Sequence, residues 1–405
     1  MGRVLYVSYD GMLEPLGQSQ VLGYLEPLAA THAIHLVSFE KARDRRDPVR
    51  MQAMRDRLAA TGVRWTPLRY HKSPSALATA FDIAVGQIVV LALALRHRSQ
   101  ILHARSYVPA LIAMPAARLT GARFLFDIRG FWADERVDGD LWPRGGTLYR
   151  IAKRLERRFF RAADHVVTLT EASARLIERF DYLADHPPAL TVIPTCADLG
   201  RFVPAATPPT GPFTFGYVGQ FGTWYLLDEA LSLFGAILRQ KPDARMLVIN
   251  RHEHAAIHAA AERAGIPLDR LELRGAEHRD VPAQIVRMHA ASALIRPCYS
   301  KLSSSPTKLA EYLGCGVPCV GNIGVGDVEA ILADNAVGVV MRGFSESDMD
   351  RAATAIIDLA ADAGTASRCR GTAERLFSLD DGITQYASIY QRLKARGYGE
   401  AAQEA

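Results

Sequence analysis

Cysteine is scarce in this 405-residue chain. The five present (Cys196, Cys298, Cys315, Cys319 and Cys369) show neither paired metal-ligand spacing nor the density of a small disulfide scaffold. Disulfide-stapled and zinc-ribbon folds are thereby set aside, and a reducing, cytoplasmic setting is expected. Carboxylates and histidines clustered at metal-ligand spacing are also lacking, so no metal is expected to be required. A long unbroken apolar run is missing as well. The most apolar segment, Ser75–Leu95, is interrupted by Asp82, Gly86 and Gln87, leaving only Ile88–Leu95 continuous, whereas a spanning helix needs about 20 such residues. Bounded by Lys72 and by Arg96, His97 and Arg98, it reads as a buried helix, with a monotopic membrane contact as the alternative. No charged-then-apolar leader precedes the opening GRVLYVSY, so secretion is not expected. Aromatic and basic residues are not interleaved as stacking on single strands requires, so nucleic acid is not an expected partner.

What is present suffices for large cores: 49% of residues are hydrophobic, 22% are charged, and the net charge is +5. Two domains are expected at this length. The modest positive charge suits a protein that handles diphosphates or lies beside an anionic membrane. Short apolar runs alternate with helical patterns, the α/β signature of parallel sheets covered on both faces. Strands are expected at Val4–Ser8, Ala33–Phe39, Val63–Leu68, Ile101–Ala104, Arg123–Ile128, His165–Thr168 and Thr191–Ile193. The cluster Pro204, Pro208, Pro209 and Pro212 marks the expected linker, 204–212, between an N-terminal domain, 1–203, and a C-terminal domain, 213–378. Strands resume at Thr214–Val218, Arg245–Ile249, Leu271–Arg274, Ala293–Arg296, Cys319–Gly321 and Gly338–Val340. A last helical pattern, Gly382–Lys394, sets Tyr386, Ile389, Tyr390 and Leu393 on one stripe within the terminal segment 379–405. The basic run Lys153–Arg161, KRLERRFFR, reads either as a solvated helix face or as a surface for an anionic partner.

The most informative stretch is Ser303–Asn322, SSSPTKLAEYLGCGVPCVGN. Ser305 can serve as N-cap and Pro306 as the first helical residue, while Gly316 before Pro318 supplies the stop. Lys308 then falls in the first turn, where the helix dipole and free N–H groups repel a cation unless an anion lies between them. Glu311 follows at i+3 from Lys308 and i+4 from Thr307, so all three share one face. A carboxylate there can accept from a ribose diol while the N–H groups and Lys308 hold a diphosphate. The alternative is a surface helix with solvated charges.

With this segment, the chain resembles the retaining, family-four (group 1) type of glycosyltransferase of GT-B fold: two doubly wound Rossmann-like domains facing a central cleft. In that family two glutamates close the nucleotide-sugar site. Glu311 matches the second, and Ser303 stands at the first, as in an SSPTKxxE variant of the motif. Tyr9–Ala29, YDGMLEPLGQSQVLGYLEPLA, resembles the family's first strand, glycine-containing loop and helix. The terminal helix resembles the one that crosses back to the first domain.

Ligands of open parallel sheets collect outside the carboxyl ends of strands, so residues just after strands take priority. Gly17 lies in such a loop, where a missing Cβ lets a phosphate or sugar approach the backbone. His103 and Arg105 end one strand and Arg129 follows the next. Such an arginine demands either an anionic ligand or a carboxylate partner among Asp127, Asp134 and Glu135. The family's phosphate-binding Arg and Lys usually follow the first strand of the second domain. Here that stretch, GYVGQFGTWYLLDE, has Gln220 and no lysine, so the charge is expected from Arg251, Lys301 and Lys308, with Arg296 as a further choice. Gly219, Gly222 and Thr223 then offer backbone contacts. Ser303, Ser304, Ser305 and Thr307 complete the expected donor-binding set, and Arg274 borders the base.

The resemblance implies transfer of a sugar from a nucleoside-diphosphate sugar, with retention, to a saccharide or lipid-linked saccharide in surface-glycan assembly. It implies no cofactor beyond that co-substrate, and Lys and Arg in place of a metal. The expected catalytic set is His103, Arg105, Arg129, Lys308 and Glu311. The acceptor is expected at the first domain near Glu14, Gln18, Tyr107, Trp132 and Glu135, with peripheral contact to the inner face of the plasma membrane as a possibility. Two rivals remain: a nucleotide-sugar epimerase of GT-B fold, using His103 or Glu135 as acid or base, and a non-catalytic nucleotide-sugar-binding subunit, suggested by Ser303 and Gln220.

Overall fold

The computed structural model describes residues 2–73 and 75–401; residues 402–405 of the expected tail lie outside them. The chain divides into two compact units, Met1–Ile193 with Leu379–Ala405 (unit 1) and Pro194–Ser378 (unit 2). Each is built on one parallel sheet, as the GT-B fold requires.

Unit 1 holds β1 (Gly2–Ser8), β2 (His32–Glu40), β3 (Arg64–Arg69), β4 (Ile101–Arg105), β5 (Arg123–Asp127), β6 (His165–Thr168) and β7 (Ala189–Val192). Their order is β3-β2-β1-β4-β5-β6-β7. Unit 2 holds β8 (Thr214–Val218), β9 (Arg245–Ile249), β10 (Leu271–Arg274), β11 (Ala290–Ser292), β12 (Cys319–Asn322) and β13 (Gly338–Met341), in the order β10-β9-β8-β11-β12-β13. The central strands form because helices cover both faces, and β4 is buried at all five residues, whereas the edge strands β3, β7 and β10 have no fully buried residue. In each sheet the order reverses beside the first strand, between β1 and β4 and between β8 and β11, which opens a crevice at the carboxyl edge.

Among the helices are α1 (Ser75–His97), α2 (Tyr107–Thr120), α3 (Thr147–Ala162), α4 (Thr307–Gly314) and α5 (Leu379–Ala401).

Three expectations need correction. The strand expected at Ala293–Arg296 sits earlier, at β11. Beyond it the Asn322 side chain takes over from the ladder, accepting from Ile295 N and donating to Ile295 O, both at 2.9 Å. The change of unit falls at Ile193–Pro194, before the proline cluster at 204–212. Residues between those points are tied into unit 2: Arg370 donates to the carbonyls of Leu199 and Phe202, and Ala197 N to Phe377 O. Finally, α1 is not a buried helix. Only one stripe of it, Ala78, Asp82, Gly86, Val90 and Ala94, is buried, and 22% of its most apolar window. The stripe is made mostly of small residues, so α1 sits close on α2; a Cβ on Gly86 would meet Ile112 Cδ1 at 2.7 Å. Four of its larger apolar side chains, Leu77, Phe81, Ile88 and Leu95, are left exposed.

Candidate active site

In unit 2 the elements converge at the β8/β11 switch. Helix α4 begins after Pro306, the observed N-cap, and no side chain caps it. Ser305, expected in that role, accepts instead from Thr195 N at 3.2 Å. A helix leaves its first-turn N–H groups without α-helical acceptors; in α4 that of Leu309 donates to Pro306 O at 3.0 Å. Gly316, at φ +76°, ends the turn as expected.

Lys308 is the most unusual group of this unit. It is 7% exposed, and its Nζ has no hydrogen-bond partner. Two aromatic faces flank it, with Nζ 4.7 Å from the Tyr217 centroid and 4.4 Å from the Tyr225 centroid. Gly219 of the β8 loop lies against it; a Cβ there would come 3.2 Å from Nζ, and φ is +132°. Burial pushes the Lys308 pKa down to about 8, with Glu311 acting the other way. A buried ammonium without an acceptor is costly, and an anion above the β8 loop would complete it.

Glu311, also 7% exposed, lies one turn along α4, with Nε2 of His278 3.4 Å from its Oε1. The β8 loop is held by a polar clamp. Asn250 Nδ2 donates to Gly219 O at 2.9 Å and to Glu253 Oε2 at 2.7 Å, and that oxygen also accepts from Phe221 N at 2.8 Å. Gly222, at φ +122°, has open space where a Cβ would be, and Thr223 is exposed, so this backbone is accessible. His278, Asn250, Glu253, Tyr217 and Tyr225 were not selected from the sequence. Only a cue of position, at or within a few residues of strand ends, pointed to them.

The other expected donor residues spread further. Lys301 is 7% exposed, with Nζ 3.9 Å from the Trp224 centroid. Ser303 is buried and donates to Ser300 O at 2.7 Å; Ser304 follows, and Thr307 opens α4. Arg251 donates to Ala276 O at 2.9 Å and pairs with Glu277, fastening the 274–277 loop. Arg274 pairs with Glu272 on the edge strand β10.

In unit 1 the residues after β1, β4 and β5 meet at the carboxyl edge. Arg129, at φ +57°, places a guanidinium nitrogen 3.8 Å from Asp127 Oδ1. Arg105 lies 3.3 Å from Asp10 and 3.9 Å from Asp127. Of the two partners open for Arg129, a ligand or a carboxylate, Asp127 is therefore present. Burial works to raise the Asp127 pKa, but Arg129, the His103 ring and Arg105 outweigh it and hold the carboxyl below its ordinary value. His103 is 1% exposed, and burial lowers its pKa. Its Nδ1 is 2.7 Å from the Tyr390 hydroxyl, and Tyr386 donates to Asp127 at 3.0 Å, so α5 seals this cluster.

Gly17 is helical, and a Cβ would meet Gly11 O at 2.2 Å, which gives it a packing reason independent of any ligand. Glu14 pairs with Lys41, and Gln18 opens a π-helical turn. The Tyr107 hydroxyl donates to buried Glu156, which Lys153 also pairs. Trp132 packs 5.7 Å from the Tyr107 ring, and Glu135 lies in the first turn of the same short helix as Trp132. Among the described residues no group of three or more His, Cys, Asp or Glu could hold a metal ion.

Residues 17–196 match the model of a glycosyl transferase 4-like domain. No curated protein matches the sequence. Among solved structures the chain is similar to the HepE protein of Anabaena in complex with UDP and glucose, at 13% identity and TM-score 0.67, covering 96% of this chain and 100% of that one. It is also similar to sucrose-phosphate synthase of Thermosynechococcus elongatus (14%, 0.71, 98% and 100%). A third is WaaG, a glycosyltransferase involved in lipopolysaccharide biosynthesis (14%, 0.64, 96% and 99%). The chain thus carries a glycosyl transferase 4-like domain in its first half and has the GT-B fold along its length.

Proposed function

We propose that the protein is a retaining hexosyltransferase that takes its sugar from a nucleoside-diphosphate sugar held in unit 2. It delivers the sugar to a saccharide or lipid-linked saccharide, in surface-glycan assembly at the cytoplasmic face of the membrane. The observation that carries this is the buried, unpartnered Lys308 beside Gly219, one helical turn from Glu311. In this reading the diphosphate lies over the β8 loop, on Lys308 and the first N–H groups of α4, and Glu311 accepts from the ribose diol. As the glycosidic bond to the sugar breaks, negative charge grows on the diphosphate, and a preorganised ammonium in a dry site stabilises it without reorganisation. Lys308 thereby supplies counter-charge, and no metal is required. Arg105 and Arg129 stand on the acceptor side in unit 1. That HepE was solved with UDP and glucose supports a donor of this class.

The test is a thermal-shift titration with UDP-, GDP-, ADP- and dTDP-sugars, with and without EDTA, on wild type and Glu311→Ala. One nucleotide class stabilising wild type, with the shift lost in the variant and kept in EDTA, is expected. No stabilisation by any of them would overturn the donor assignment. Product formed from the nucleotide sugar alone would replace transfer by epimerisation.

A further inference from the structure

Three helices lie side by side on one face of the unit 1 sheet: α1 packs on α2, and α2 on α3. Their outer surface is unusual in two respects. The first is apolar exposure. Leu77, Phe81, Ile88 and Leu95 of α1 are 72%, 56%, 71% and 60% exposed, and Leu119 at the end of α2 is 71% exposed. At about 1.5 Å per residue the α1 stripe runs for roughly 27 Å. Monomeric soluble proteins rarely expose a contiguous apolar surface of this length.

The second is charge of one sign. The three helices contain only two acidic residues, Asp82 and Glu156, both buried and paired, to Tyr9 and His71 and to Lys153 and Tyr107 respectively. No carboxylate on these helices reaches the surface. Arg96, Arg118, Arg150, Arg154, Arg157 and Arg158 do, and none is in an ion pair among the described residues. The arginines near the C-terminal ends of the three helices gather at the edge where β4, β5 and β6 begin, opposite the edge that carries Arg105 and Arg129.

We propose that this α1–α2–α3 face docks on an anionic lipid surface, α1 lying in the interface with Leu77, Phe81, Ile88 and Leu95 among the acyl chains and the arginines on the headgroups. Apolar side chains flanked by cations, with carboxylates withdrawn, is the chemistry that anionic bilayers select. A second copy of the chain fits less well, because pairing two such faces would set arginines against arginines. The inference deepens the membrane placement proposed above by naming the surface, and leaves the carboxyl edge of the sheet free of the bilayer.

The test is flotation with vesicles of phosphatidylglycerol in phosphatidylcholine and of phosphatidylcholine alone. Wild type is expected to float with the anionic vesicles only, and less so in high salt. Leu77→Ser/Phe81→Ser/Ile88→Ser and, separately, Arg154→Glu/Arg158→Glu are each expected to weaken binding at least about tenfold, basic residues near such a surface each contributing on that order. Circular dichroism melts establish that both variants fold. Absence of wild-type binding, or binding unchanged in either variant, would overturn the proposal. So would a wild-type dimer that the serine variant dissociates. Thermal-shift titration of the same variants with nucleotide sugar reads the donor site independently, so failure of either assignment is distinguishable.

Discussion

The ammonium of Lys308 lies 4.4 Å from the ring centroid of Tyr225, and no hydrogen-bond acceptor reaches it. The aromatic face offsets part of the desolvation, yet burial still lowers the pKa from 10.5 to about 8. A lysine depressed in the folded state costs stability below its folded pKa, and the cost disappears as pH rises through its unfolded value. Lys308→Met is therefore expected to raise the stability of ligand-free unit 2 at neutral pH by up to about 3 kcal/mol, while abolishing stabilisation by nucleotide sugar. Calorimetric melting with and without ligand checks both.

The same group sets a pH dependence for donor binding. A diphosphate beside Lys308 needs the charged form, which is lost as pH rises through about 8. Affinity is expected to be flat below that point and to fall above it, with uptake approaching one proton. Titration calorimetry in buffers of different ionisation enthalpy measures the uptake directly; the signal is expected to vanish in Lys308→Met.

Glu253 is expected to act as a positioning residue. It accepts from both Phe221 N and Asn250 Nδ2, and through them holds the β8 loop. Glu253→Ala leaves a partly buried N–H unpaired, a cost of about 1–3 kcal/mol, and loosens Gly219–Thr223. A donor KM raised about tenfold with kcat changed much less is the expected signature in steady-state kinetics. Equal loss in both would show a merely structural collapse.

At Gly17, an alanine would ordinarily help a helix. Here its Cβ would meet Gly11 O at 2.2 Å, so Gly17→Ala is expected to destabilise unit 1 by about 1–3 kcal/mol, leaving unit 2 and its response to nucleotide sugar intact. Differential scanning calorimetry, which separates the two transitions, is the measurement.

Much of this architecture was readable from apolar runs, because a doubly covered strand writes its burial into consecutive residues. His165–Thr168, Thr214–Val218, Arg245–Ile249 and Leu271–Arg274 occur with the expected bounds. Ala293–Arg296 was misplaced because an asparagine side chain from position 322 imitates a strand partner there, and no local pattern shows that. The site was legible where its chemistry is local, as with Lys308 and Glu311 on one helical turn. It was illegible where partners come from afar: His278 reaches Glu311, and Glu253 reaches Phe221, only through the fold. The apolar helix was misjudged for a different reason. Mean hydropathy does not say which stripe is buried, and in α1 that stripe holds Ala, Gly and Asp82.

The return of the chain to unit 1 for α5 fixes an order of events during synthesis. Unit 2, Pro194–Ser378, leaves the ribosome before Tyr386 and Tyr390 exist. Until they arrive, Asp127 lacks its tyrosine donor and His103 lacks the Tyr390 hydroxyl. Unit 2 is thus an insertion within unit 1, able to fold first during translation, whereas its host waits for α5. A premature stop only a few codons into α5 would yield a chain with a finished unit 2 and an open, unfinished unit 1.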